Sequence, residues 1–385
     1  MDLIRNRYLV YPVLFVAFFF ALDKIFLLPE VRDNFIQPGG MIYYRQRQEQ
    51  LKKFKALACQ AERDRRLVAV LGDSRSFALG QDMIKEERHR DIDLFNFSGP
   101  QAIPVYHLYI AEKLLQGGCL PDAILLGVAP DTMNQNSPVF VSPNLNFGVD
   151  ARFIERYRTL IPTDVYDSYR GTRRFALAGL GFSLNEFLAR VQGSLAAEKT
   201  EFGAEIALLE GTLGRGEGGA RRALLEGILR SSLKNLTLYR FDQSQHRLVL
   251  DATRGAQYSW FGSMDDAELQ EETRRLREFY LSRFAPSAEQ MYFYERLLER
   301  AAEARVPVHV FWPRVNPHLR KVYAGEKQIT NLWRAMQRVA AKHDASSIDL
   351  NRTEAAACRH YYDASHLSIS CFPAITTFLL DRLSP

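Results

Sequence analysis

Residues 8–22, YLVYPVLFVAFFFAL, carry no charge, and after Asp23 and Lys24 the apolar run resumes as IFLLP and ends at Pro29. Residues 8–28 are about long enough to cross a hydrocarbon core of roughly 30 Å. A run apolar on every face at a chain end reads as an anchor rather than a core helix. Arg5 and Arg7 precede it, which places the N-terminus on the cytoplasmic side and the rest of the chain outside. A cleavable signal peptide fits less well, because no small-x-small site follows. Asp23 and Lys24 read as interfacial, with Lys24 snorkelling; contact with polar groups of a membrane partner is the alternative.

Beyond the anchor (1–29) the pattern turns polar. Residues 41–66 read as a charged helix leading away from the membrane, within a linker of 30–66. Three short apolar runs follow, LVAVLG, IDLFNFSG and DAILLGVAP, each too short for a helix and suited to buried strands. Between the second and third, PVYHLYIAEKLL has helical period. Later come an amphipathic helix over 287–305, the strand VPVHVFW, a helix over about 327–343, the strand SSIDLN, and a last helix. Ser370 is expected to cap that helix, with Pro373 in its first turn. Strands alternating with helices predict an α/β fold with a five-stranded, mainly parallel, doubly wound sheet. It is split into 67–131 and 286–385 by an insertion over 132–285. The insertion carries five helical segments, a hairpin around Arg254-Gly255, and a turn at GRGEGGA (214–220).

Composition alters this picture little. With 47% apolar and 25% charged positions in 385 residues, the chain is ordinary globular material. The net charge of +5 is too small to argue for nucleic acid. No basic block with interleaved aromatics is present. The four cysteines lack zinc-ligand spacing and C-x-x-C. Outside the cytoplasm disulfides become possible. Cys59–Cys119 and Cys358–Cys371 is the favoured pairing, since each pair flanks segments expected to be neighbours; four buried thiols is the equal alternative.

Open parallel sheets place active sites at the carboxyl ends of their strands. Gly72-Asp73-Ser74 lies at the end of LVAVL, where a turn serine can expose its hydroxyl. Helix capping would explain the same residue types. Asp363-Ala364-Ser365-His366 lies just before the last helix. A serine needs a base, and the base needs a partner that fixes its tautomer. A carboxylate three residues before a histidine can supply that partner across one turn. Ser98-Gly99 follows the second strand, where glycine lets backbone N–H groups approach a substrate oxygen. His309, inside an apolar strand, reads as structural.

In this order, strand–Gly-Asp-Ser, strand–Ser-Gly and a late Asp-x-x-His before a terminal helix, the chain resembles the SGNH (GDSL-like) hydrolase superfamily. The resemblance covers about 65–130 and 305–385. It implies a flavodoxin-like three-layer sandwich with Ser74 as nucleophile, His366 as base and Asp363 orienting it. Ser74 N–H and Gly99 would face the oxyanion. The family's third block, Gly-x-Asn-Asp, is here Gly127-Val128-Ala129-Pro130-Asp131; Asn134 or Asn136 from the next loop could replace the missing asparagine. Arg75 and Arg314 are candidate substrate-binding residues, an ion pair at the site mouth being the other reading of Arg75.

With the anchor and the altered block, the chain looks like membrane-anchored SGNH proteins that work beside multi-pass membrane O-acyltransferases in envelope modification, such as alginate O-acetylation or teichoic-acid D-alanylation. That resemblance implies acyl transfer to an envelope polysaccharide through an acyl-Ser74 intermediate, in a domain outside the inner membrane. The implied partners are the multi-pass protein and the polymer, with no cofactor or metal. A tethered esterase or deacetylase is the first rival, and a non-catalytic scaffold the second.

Overall fold

A computed structural model describes residues 7–28, 39–60, 62–176, 249–251, 253–258, 262–281, 283–354 and 357–383. In chain order its main elements are α1 (Arg7–Ile25), α2 (Gly39–Ala58), β1 (Arg66–Leu71), β2 (Ile92–Asn96), α3 (Pro104–Leu115), β3 (Ala123–Gly127), α4 (Ala151–Arg156) and α5 (Thr163–Arg174). After the gap come β4 (Val249–Leu250), β5 (Gln257–Tyr258), α6 (Asp266–Leu276), α7 (Ala288–Glu303), β6 (Val308–Trp312), α8 (Pro317–Gly325), α9 (Lys327–Lys342), β7 (Ser346–Asp349) and α10 (Phe372–Leu380). The expected helices over 183–233 and the turn at 214–220 lie outside the described residues.

The chain divides into two units, Met1–Ile42 with Thr163–Leu236, and Tyr43–Pro162 with Thr237–Pro385. In the first, α1 leaves Tyr11, Val13, Leu14, Phe15, Val16, Phe18 and Phe19 exposed. Its end is polar and engaged. Asp23 Oδ2 accepts from Ala176 N at 2.7 Å and from Lys24 Nζ at 3.0 Å, and Lys24 Nζ donates to Arg174 O at 2.8 Å. Both charges are thus partnered by the chain itself, at the end of α5 and just after it. Among the described residues no helix is long and apolar enough to cross a membrane.

The second unit holds the five-stranded sheet, ordered β2-β1-β3-β6-β7 and parallel throughout. Counted along the sheet strands this is the doubly wound order 2-1-3-4-5, whose switch point lies between β1 and β3. Side chains alternate across a strand. On one face Val68, Val70, Leu94 and Leu125 pack with Phe372, Ile375 and Leu379 of α10. Phe95, with the opposite parity, meets Phe54 of α2 edge-on, 5.3 Å between ring centroids. Fully burying one such ring stabilises by roughly 1.5–3 kcal/mol.

The segment expected as a linker helix is therefore core. Tyr44, Arg47 and Phe54 of α2 are fully buried. Part of the polar face that suggests solvation is used internally: Arg47 Nε donates to Ser98 O at 2.7 Å and its Nη1 to Gly255 O at 2.7 Å, while Glu49 and Lys52 stay exposed. Gly255 takes φ +87° in the β4–β5 hairpin expected around Arg254-Gly255. In α7, Phe293, Tyr294, Leu297, Leu298 and Ala301 form the buried stripe, and Ser287 caps it by accepting from Gln290 N. Helix α8 was not anticipated. Asn316-Pro317 starts it, Asn316 Oδ1 accepting from His318 N and Leu319 N. Pro373 lies in the first turn of α10 as expected, but Cys371 is the N-cap and the Ser370 hydroxyl donates to Ser368 Oγ at 3.4 Å. The disulfides are Cys59–Cys119 and Cys358–Cys371, the favoured pairing.

Candidate active site

Ser74 sits just past the carboxyl end of β1, at the switch point. Asp73 caps the short 3₁₀ turn Ser74–Ser76, accepting from Arg75 N at 2.9 Å, so the capping reading holds together with a half-buried Ser74 that lines a cleft. Ser74 Oγ lies 2.8 Å from His366 Nε2, and His366 Nδ1 lies 2.7 Å from Asp363 Oδ2. With Nδ1–H donated to the carboxylate, Nε2 keeps its lone pair and can accept from Ser74 O–H.

The base loop is built locally. Asp363 Oδ1 accepts from Ser365 N at 2.7 Å and His366 N at 2.8 Å, so one turn sets both ends of the Asp–His pair. Burial pushes the Asp363 carboxyl up. The His366 hydrogen bond and charge, with the Ser365 and His366 backbone bonds, outweigh burial and leave it below its ordinary value. The loop is fixed from outside by Asn316 Nδ2 on Ala364 O at 2.8 Å and by the Cys358–Cys371 bridge that brackets it.

The other expected residues are engaged elsewhere. Gly99 N–H donates to Gly72 O at 3.1 Å, so it does not face an oxyanion. A side chain at Gly99 would strike the Tyr44 ring, with the first atom 2.5 Å away. Packing, not substrate approach, demands glycine there. Asn134 Nδ2 donates to Tyr280 O at 2.8 Å, and its Oδ1 accepts from Asn136 N and Ala285 N. Asn136 Nδ2 goes to Arg283 O at 2.6 Å. Both asparagines staple two loops together, and neither lines the cleft over Ser74. Arg314 Nη1 donates to Leu350 O and Thr353 O, away from the cleft.

Arg75 is buried between two carboxylates. Its Nε reaches both Asp73 oxygens, at 3.1 and 2.9 Å, and its Nη2 also bonds Asp73. Its Nη1 meets both Asp131 oxygens, at 3.2 and 3.1 Å. Burial would lower its pKa, but Asp131 and Asp73 raise it well above the ordinary value, so the guanidinium stays charged. Of the two readings of Arg75, the ion pair describes the geometry. Asp131 ends the departing third block, and its role as Arg75's second partner is visible only once β1 and β3 are adjacent.

A cleft of about 520 Å³, open mouth included, lies over these groups; Ser74, Arg75 and His366 line it with Gln101, Asp131 and Tyr280. Sequence reasoning missed Gln101 and Tyr280, which no motif marks. Residues expected in an insertion, such as Val139, Leu276 and Tyr280, form its rim.

The family model described as "Protein of unknown function (DUF1574)" matches residues 3–383. The chain belongs to this family. No curated protein matches it. DUF1574 names no chemistry, so the chemistry of this member rests on its residues. Among the described residues no group of three or more His, Cys, Asp or Glu side chains could hold a metal ion. The hydroxyl–imidazole–carboxylate chain can deliver a serine oxygen to an acyl carbon and return the proton to a leaving oxygen.

Proposed function

We propose that the protein is a serine-dependent acyl-transfer enzyme that forms an acyl-Ser74 intermediate, with His366 as general base and Asp363 holding its tautomer. The observation that carries this reading is the continuous relay of 2.8 and 2.7 Å through one imidazole. Its members come from distant parts of the chain and meet in one cleft at a switch point, where ligands of doubly wound sheets bind. The SGNH resemblance extends the reading to a carbohydrate hydroxyl of an envelope polymer as acceptor, and to a multi-pass membrane O-acyltransferase as donor-side partner. Water as acceptor would make the same relay an esterase.

The reading includes a site outside the cytoplasm, with α1 seated in the inner membrane. All four cysteines are in disulfides, which supports an oxidising compartment. The 19 residues of α1 rise about 28 Å at 1.5 Å each, somewhat short of a hydrocarbon core of roughly 30 Å, so α1 alone would be seated in the bilayer without crossing it fully. Its apolar side chains are exposed on every side, an arrangement that lipid can cover and a single protein groove cannot.

The test is labelling of the full chain with a serine-reactive phosphonate. Wild type is expected to take up one equivalent and Ser74→Ala none. Equal labelling of both, or no labelling of wild type, would sink the proposal.

A further inference from the structure

An acyl-transfer site needs donors aimed at the oxygen that becomes charged. Of the expected set, Gly99 N–H is given to Gly72 O, and Asn134, bonded to Tyr280 O, does not line the cleft. Ser74 N–H is what remains. The rim of the cleft contains another amide, and the backbone around it is unusual.

Gln101 has φ +54°, a left-handed conformation uncommon for any residue but glycine. It is held there from both sides. Its carbonyl accepts from Asn144 Nδ2 at 3.0 Å, while Asn144 Oδ1 accepts from Ile103 N at 3.2 Å. Its side-chain Nε2 donates to Tyr280 Oη at 3.0 Å. Asn144 lies in the π-helical segment Val141–Gly148 and Tyr280 in a second one, Arg277–Leu281. Such segments are rare and gather at functional sites. Here the second contributes Tyr280 to the cleft lining beside the left-handed Gln101, and the first holds the Gln101 carbonyl through Asn144. The Tyr280 phenol, raised by burial and influenced by Arg75, Asp131 and Asp73, lies beside the cluster that flanks Ser74. A carboxamide nitrogen carries two N–H groups, and Tyr280 takes one.

We propose that Gln101, its side chain held by Tyr280 and its carbonyl by Asn144 in the lining of the cleft that holds Ser74 and His366, supplies the side-chain oxyanion donor of this site. The inference rests on the serine acyl-transfer reading. As Ser74 Oγ bonds to the acyl carbon, its proton passes to His366 Nε2 and the carbonyl π pair moves onto oxygen. The second Gln101 N–H, with Ser74 N–H, faces that oxygen. On collapse the pair returns, the bond to the leaving oxygen breaks, and His366 gives that oxygen its proton. Tyr280 is a positioning residue, acting through Gln101.

The experiment follows the rate of phosphonate labelling and of p-nitrophenyl acetate turnover in the full chain. Gln101→Leu keeps the size and removes the donor. Loss of one such donor costs about 10²- to 10³-fold in kcat. That loss is expected in both rates, with KM and thermal midpoint near wild type. Tyr280→Phe should fall between the two, because the amide remains but loses its guide. If wild type labels and Gln101→Leu labels within about twofold of it, the inference fails while the serine reading stands. A loss confined to KM would also overturn it. Absence of labelling in wild type would overturn the serine reading and this inference with it.

Discussion

Replacing Arg75 by methionine removes one cation from between two carboxylates while keeping an unbranched stem. In the folded chain the Arg75 and Asp73 side chains are each 6% exposed and that of Asp131 is 10% exposed, so water cannot substitute for the lost partner. Breaking a buried pair from one side costs about 3–5 kcal/mol, because it strands a charge. Here two carboxylates are stranded, which argues for the upper end of that range. Against a typical total of about 5–15 kcal/mol the variant should still fold, but weakly. In wild type, burial raises the Asp73 carboxyl and Arg75 outweighs it, leaving the pKa low. Without Arg75 burial prevails, and protonation becomes the cheaper way to neutralise the site. The deficit should therefore be largest near pH 7 and shrink toward pH 5. Urea unfolding followed by circular dichroism at both pH values measures it, with m-values compared to confirm that unfolding exposes the same surface. Asp73→Asn and Asp131→Asn added to Arg75→Met should recover part of the loss. A deficit under about 1 kcal/mol, combined with a rise in KM for an ester substrate, would refute this reasoning and return Arg75 to substrate binding.

Two further expectations follow from the same structure. His107 is fully buried in α3, and burial lowers its pKa from 6.5 to about 4. Its neutral form is favoured in the fold, so this contribution is complete above about pH 6.5 and is lost as pH falls toward 4. At 1.36 kcal/mol per pKa unit the loss reaches about 3 kcal/mol; His107→Gln should flatten stability against pH in that window, and parallel curves would contradict the assignment. For the anchor, a chain lacking residues 1–28 is expected in the soluble fraction after carbonate extraction, with the full chain in the membrane pellet. Release of the full chain by carbonate would count against α1 as a seated helix.

What could be read from the sequence divides by the range of the contacts involved. LVAVL and DAILL are legible as strands because a short apolar run bounded by turn residues has few other uses. The Asp363–His366 pair is legible because its geometry closes within one turn, through Ser365 N and His366 N on one carboxylate oxygen. The anchor-like run at 8–22 is equally local, and it folds as an exposed apolar helix.

Donor and binding roles behave differently, because they depend on which distant group claims the hydrogen bond first. Gly99, Asn134 and Arg314 have the right chemistry for the roles expected of them. Each is taken by a backbone carbonyl brought near by the fold, respectively Gly72, Tyr280 and Leu350. Arg75 beside Ser74 suggests an anion binder until Asp131, 56 residues on, closes on it across β1 and β3. The polar face of α2 suggests solvent until Arg47 finds Ser98 and Gly255. Gln101 is the converse case. No local pattern marks it, and its claim comes from a strained backbone held by two segments of irregular helix. In this chain the nucleophile and base can be named from short motifs, whereas the groups that would stabilise charge must be found by asking which donors the fold has left unspent.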